Sequence, residues 1–513
     1  MRLIFLDHTR QRLSTALLAS LFTLMISACS DRGDSRPAAV TPLPINYAVT
    51  LSGDQENPPV LTVAAGSGSF ALNTQSGVLT GSITTTGVTG TAAHLHIAPV
   101  GVNGAVSVPL VESTTGSGIW GVSPGTVLTT EQRVALGGGA MYANVHSAAF
   151  PGGQIRGQVG QVVRGATLSG SQENPPVATA TAAAGTGVIA VDPGTRALVA
   201  RVTTSGITAT AAHIHDGTVG ANGAVIVPLT ETAPGSGVWA SAANATFSEA
   251  QYAGLLAGTL YFNVHSAANP GGQIRGQIGV SVFDVAMSSA QEVPANASTA
   301  SGSARIVLNR QNLTLNGSLT TSGMAATAAH IHTANFGSNG GVTFGFTQTL
   351  PGGSVWAMAP TVISTAQLQS LIFGDMYMNA HSATFPGGEV RGQIGNVIRT
   401  GNLSGTQEVP ANTSTASGRG TGQFDPVTLA ASFTVTSTVV SPTAAHIHTA
   451  PAGSNGGVTV GFTQTSPGTW TSAATATLTA AQAATFAAGG MYYNVHSAAF
   501  PGGEVRAQAV GRD

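Results

Sequence analysis

Thirteen histidines occur in the 513-residue chain, and twelve of them fall into four sets of three. The sets are His94, His96 and His146; His213, His215 and His265; His330, His332 and His381; and His446, His448 and His496. Each begins with a His-x-His pair and ends with a third histidine about 50 residues further on. On a strand, side chains alternate between faces, so the paired histidines share one face about 6.6 Å apart. By the same rule Tyr142, Asn144 and His146 share a face of a later strand. If the two strands pair or face each other, three imidazoles converge, and metal–nitrogen bonds of about 2.0–2.1 Å let them close on one ion. Three neutral imidazoles suit copper or zinc without choosing between them. Water or Glu56 would supply a fourth ligand. The competing reading is a hydrogen-bonded imidazole cluster, linked to Asn144 or Tyr142, that holds a loop.

The elements that must position these residues repeat with a period of about 117 residues. Each copy opens with Gln-Glu, at Gln55-Glu56, Gln172-Glu173, Gln291-Glu292 and Gln407-Glu408. It continues through T-A-A-H-[IL]-H, a G-x-N-G segment, one Trp, and [ML]-Y-x-N-[VA]-H-S, and closes on P-G-G-[QE]-[IV]-R-[GA]-Q. Elsewhere the copies have diverged: the segment before the first histidines reads LTGSIT, LVARVT, LTLNGSLT and LAASFTVT. A period this long makes each copy a domain with its own core. The expected domains span 46–162, 163–281, 282–397 and 398–513.

Glu56, Glu173, Glu292 and Glu408 are the one acid repeated in register, and Arg156, Arg275, Arg391 and Arg506 the one base. In a chain with 7% charged residues they are expected to form a structural ion pair in each copy, buried or half-buried. Nucleophilic chemistry is thin. Ser147 follows His146 directly, so on a strand the two side chains point to opposite faces and cannot act together. Gly152-Gly153 reads as a turn, since no helix opens after it to cradle a phosphate.

Strand signals dominate each copy. Asn73–Gly77 breaks two strand-like runs, and Asn103-Gly104, Asn222-Gly223, Asn339-Gly340 and Asn455-Gly456 have the form of tight hairpin turns. One helix per copy is signalled by the capping boxes Thr129–Gln132, Ser248–Gln251, Ser364–Gln367 and Thr479–Gln482, with Gly139, Gly258, Gly374 and Gly489 as stops. Trp120, Trp239, Trp356 and Trp470 are expected in the core. About seven strands per copy suggest a sandwich or flattened barrel.

The 18 basic residues are all Arg and the net charge is −2, which offers nucleic acid no basic surface. The only Cys excludes an internal disulfide and stands at Ile26-Ser27-Ala28-Cys29, after Arg2, Arg10, Arg12 and an apolar run. This tetrapeptide resembles the lipobox of bacterial lipoproteins, which implies a signal peptide over 1–28, a lipid on Cys29 and a tether over 29–45. Ser30 favours an outer membrane or cell-surface destination. Attachment to a membrane is expected through the lipid alone, since no second apolar segment is long enough to span one.

The ordered strings S-G-x-Q-E-x-P, A-A-H-I-H and N-V-H-S-A-A-x-P-G-G-x-I-R-G-Q resemble the chordin-type (CHRD) domain, in all four copies. Copies three and four have Pro294-Ala295 and Pro410-Ala411 in place of Pro-Pro, and Ala380 stands where the other copies have Val; neither change touches a His. The resemblance implies an all-β chain of four tandem immunoglobulin-like β-sandwich or barrel domains, each with one short helix, behind the cleaved lipoprotein signal peptide. It implies no established enzyme activity. A His-x-His with a distant His also looks a little like copper–zinc superoxide dismutase, but no Asp recurs in register and a two-metal site is not expected. Two functions follow: a multivalent binding or structural array on a lipid anchor, with an extracellular or periplasmic protein or glycan as partner, or a mononuclear copper or zinc protein with redox, hydrolytic or metal-buffering activity.

Overall fold

The computed structural model describes residues 44–177 and 183–512, so the expected leader, Cys29 and nearly all of the tether lie outside the described residues. In the first domain the strands are β1 (Ile45–Ser52), β2 (Ala65–Leu72), β3 (Leu79–Thr86), β4 (Gly90–Ile97), β5 (Ala105–Glu112), β6 (Ile119–Val122), β7 (Met141–Ser147) and β8 (Ile155–Gln158). They close into an eight-stranded antiparallel barrel in the order β1-β2-β3-β6-β5-β4-β7-β8. In space β3 is followed by β6 and not by β4, so the hairpins β4–β5–β6 fold back and deliver β4 to β7. The two histidine-bearing strands become neighbours by this reversal. The second and fourth domains close in the same way. In the third, the strand equivalent to β5 is split into Gly341–Gly345 and Thr347–Gln348, and the sheet has nine strands. Phe346 turns inward there, is buried, and donates its N–H to Ala329 O at 2.9 Å.

Apolar side chains fill the barrel. Leu51, Phe70, Leu79, Ile83, Leu95, Trp120, Val145 and Ile155 meet in the first core, and each of the four Trp is buried in its own domain. A helix, α1 (Thr130–Gly137), separates β6 from β7, and its capping box forms with both bonds, Gln132 N to Thr129 Oγ1 at 3.2 Å and Thr129 N to Gln132 Oε1 at 2.8 Å. The other three domains repeat this helix with its capping box.

The Asn-Gly pairs do not form hairpin turns. The left-handed residues of these loops are Gly101, Gly220, Gly337 and Gly453, at φ between 72° and 78°. Asn103 instead donates its side-chain N–H to Asn57 O at 2.7 Å, and Asn222, Asn339 and Asn455 repeat the bond. Gly104 is required by crowding: a Cβ there would collide with the Ile97 carbonyl. This loop, 98–104, is thereby folded back over the outer face of β4, β7 and β8. Strand β7 is buried on both faces, with Met141, Ala143 and Val145 inside the barrel, Tyr142 under the loop and Asn144 against Gly153 and Glu56.

Residues Pro44–Asp513 form one compact unit. Between the third and fourth domains, Asp375 Oδ1 accepts from Arg399 Nη2 at 2.7 Å and Asp375 Oδ2 forms an ion pair with Arg512 Nε at 2.7 Å, with Asp375 and Arg399 buried. Arg305 of the third domain donates to Ser171 O of the second at 2.8 Å.

Candidate metal centre

Register brings the three histidines of a domain together. In the antiparallel pair of β4 with β7, His94 lies opposite Asn144, His96 opposite Tyr142 and Ala92 opposite His146. The side chains of His94, His96 and His146 leave the outer face of the barrel, away from Leu95 and Val145 in the core. On its other side β4 carries an irregularity in its pairing with β5, between Leu95 and His96, and the equivalent step recurs in all four domains. An irregularity of this kind re-aims a side chain, here the second histidine.

In the first domain the ring centroids are 5.7, 5.1 and 6.0 Å apart. In every domain one nitrogen from each of the three rings lies within 4.8 Å of the others, so each triad can hold a metal ion. The backbone decides which nitrogens these are. His96 Nδ1 lies 3.0 Å from Gly104 O, and His146 Nδ1 lies 2.9 Å from Pro151 O. A carbonyl can only accept, so both Nδ1 atoms carry hydrogen and both Nε2 atoms present a lone pair. The same bonds recur at His215, His332 and His448, and at His265, His381 and His496. His96 Nε2, His215 Nε2, His332 Nε2 and His448 Nε2 are buried without a hydrogen-bond partner. In domains two to four the first histidine's Nδ1 stands 3.1–3.2 Å from the third one's Nε2. Nitrogens on a shared tetrahedral zinc are about 3.3 Å apart, given bonds of about 2.0–2.1 Å. The two nitrogens are hydrogen-bonded to each other, at a spacing close to that of two ligands of one ion. An imidazole whose far N–H is tied to a carbonyl is the arrangement found behind metal-bound histidines.

Burial holds His94 and His96 below the usual imidazole range, the neighbouring imidazole adding to it, while the Gly104 carbonyl opposes the shift at His96. His213, His215, His330, His332, His446 and His448 shift the same way for the same leading reason. Neutral rings are the ligating form.

A polar layer supports the triad. The Tyr142 ring stacks on His96 with centroids 4.9 Å apart and 8° between planes, and the Arg156 guanidinium lies 3.5 Å from the Tyr142 centroid on the ring. Tyr142 Oη accepts from Gly104 N at 3.0 Å. Gly104 therefore grips both rings, His96 through its carbonyl and Tyr142 through its N–H. Arg156, 1% exposed, donates to Val102 O at 2.9 Å and Pro99 O at 3.1 Å, and so pins the covering loop. Ser147 Oγ accepts from Phe150 N at 3.1 Å, apart from the imidazoles.

The expected Glu–Arg ion pairs do not close. Among the described residues, none of Glu56–Arg156, Glu173–Arg275, Glu292–Arg391 and Glu408–Arg506 comes within ion-pair distance; the ion pairs found are Arg305–Asp284, Arg399–Asp375 and Arg512–Asp375. Backbone carbonyls and a tyrosine face take up each Arg, while the Glu meets an Asn: Asn379 Nδ2 donates to Glu292 Oε1 at 2.7 Å, and Asn263 Nδ2 to Glu173 Oε2 at 3.4 Å. The attraction of Arg156 reaches Glu56 only at longer range, and burial outweighs it, pushing that carboxyl up to about 8. No Glu joins the metal-capable groups, so Glu56 is not brought in as a ligand. Sequence reasoning named Tyr142 as a partner of the imidazoles but missed Pro151 and Gly104 as the groups that orient the rings, although P-G-G and N-G recur in every copy.

Comparison with protein families matches the CHRD domain at residues 47–159, 164–278, 283–394 and 399–509. No curated protein and no solved structure matches the chain.

Proposed function

The chain belongs to the CHRD-domain family, and from that premise we propose that it is an exported, lipid-anchored protein of the cell envelope presenting four metal-bearing binding modules. Each module holds one copper or zinc ion on its three histidines, with a fourth position left to water or an incoming ligand. One observation carries the metal: a buried Nε2 lone pair without a partner stands beside the other imidazole nitrogens in all four domains. An orphaned buried acceptor costs about 1–3 kcal/mol, and a shared cation removes that cost four times over. The anchor rests on the Ile26–Cys29 tetrapeptide, with the outer membrane or cell surface as destination. Four modules behind one anchor turn weak contacts into avidity toward an extracellular or periplasmic protein or glycan.

Metal analysis of the full chain, dialysed against zinc and then against buffer, is the test. We expect close to four ions per chain, and close to three for His96→Ala with circular dichroism unchanged. A chain that retains no ion leaves only the binding array. Loss of fatty-acid labelling in Cys29→Ala checks the anchor.

A further inference from the structure

The first domain's triad shares a cavity with another domain. A space of about 670 Å³ has His94 and His146 on one wall and Asn402, Ser404, Gln407 and Ser417 of the fourth domain on the other. The walls are joined by Arg419, whose guanidinium carbon lies 4.1 Å from the Phe150 ring centroid and whose Nη1 donates to Asn402 Oδ1 at 3.0 Å. His94 Nδ1 and His146 Nε2 are buried without a partner. The volume is that of a small-molecule site.

We propose that this space binds a small hydroxylated carboxylate, a sugar acid, between the first and fourth domains. The inference rests on the metal-bearing reading above. A divalent ion on three neutral imidazoles keeps its full charge, and among the described residues no carboxylate lines the cavity to offset it, so an anionic oxygen is the preferred fourth ligand. Gln407 Nε2, Ser404 Oγ and Asn402 Oδ1 are engaged within the fourth domain, and the neutral Asn402 Nδ2, Gln407 Oε1 and Ser417 Oγ on that wall match hydroxyl groups, which a bare carboxylate would leave unused.

Zinc-loaded full-length chain titrated with galacturonate in a calorimeter tests this, with galactose and acetate as comparison arms. We expect one galacturonate per chain, with galactose and acetate each at least tenfold weaker. Binding should be lost in His94→Ala. Asn402→Asp, which puts a negative charge into the cavity at nearly constant volume, should weaken galacturonate at least tenfold and leave galactose unchanged, with metal content still near four per chain. Galacturonate binding with equal affinity after metal removal, at four sites per chain, or unaffected by Asn402→Asp overturns the proposal. Four bound ions with no galacturonate binding sinks the sugar-acid site alone, whereas no bound ion sinks the metal reading beneath it.

Discussion

Glu56 shows how far burial changes a residue's chemistry. It is 7% exposed, its Oε1 lacks a partner, and its carboxyl is pushed up to about 8 by burial against the opposing pull of Arg156 and Asn144. Glu173, Glu292 and Glu408 are pushed up to about 7 for the same reason. The folded state therefore holds these protons more tightly than an unfolded chain, whose glutamates titrate near 4.5. The resulting stability is complete below about pH 4.5 and is lost as pH rises to about 8, because ν_N exceeds ν_U throughout that window. Thermal melts between pH 5 and 8 should show the midpoint falling with pH, and Glu56→Gln should flatten the share that belongs to the first domain. An unchanged slope would place the ionised form in the folded state. Gly153 presses on the same carboxyl: its φ is +129°, and a Cβ there would stand 2.7 Å from Glu56 Oε1. Gly153→Ala is expected to destabilise by about 1–3 kcal/mol from backbone strain alone, read by denaturant unfolding. The repeated Glu and Arg were visible as residues in register; that they would not touch was invisible, because the partners of each are loop carbonyls and an Asn set by the fold.

At the scale of elements, the loop 98–104 and the turn after β7 do more than connect strands. Each ends in a carbonyl that fixes a ring, Gly104 O for His96 and Pro151 O for His146. Gly104→Ala should push the loop off the sheet and release His96 and Tyr142 together, dropping zinc content by one ion per chain while the other three domains keep theirs. Tyr142→Phe removes only the acceptor for Gly104 N; a tenfold weaker zinc affinity at that site is expected, within the range of about 10–100-fold for groups behind the ligands. Local signals were reliable where the chemistry is local. The capping boxes form as read because each needs only four consecutive residues. The Asn-Gly pairs misled because the same dipeptide that suits a tight turn also suits a side-chain tether and a close approach, and only the neighbouring strand decides between them.

At the scale of the whole molecule, three closed barrels and the nine-stranded third domain lie within one compact unit. Asp375, with Arg399 and Arg512 on its two oxygens, is the charged lock between the third and fourth domains. Asp375→Asn leaves the Arg399 charge buried with a weaker partner. Breaking a buried pair costs about 3–5 kcal/mol, so the two domains should melt earlier and in separate steps by scanning calorimetry. A single unshifted transition would show that the lock adds nothing.

From composition, period and motif order alone followed the all-β class, the four-copy organisation, the single capped helix of each copy and the choice of histidines. These depend on patterns within a few residues, or on repetition, which a linear string records in full. Only the tertiary structure decided that β4 lies beside β7, that two carbonyls turn two Nε2 lone pairs to one place, that Glu and Arg stay apart, and that the first triad faces the fourth domain. Apart from the two carbonyl–ring bonds, which span 8 and 5 positions, those outcomes join residues from 44 to more than 300 positions apart, and nothing in the local chemistry of either partner specifies the other.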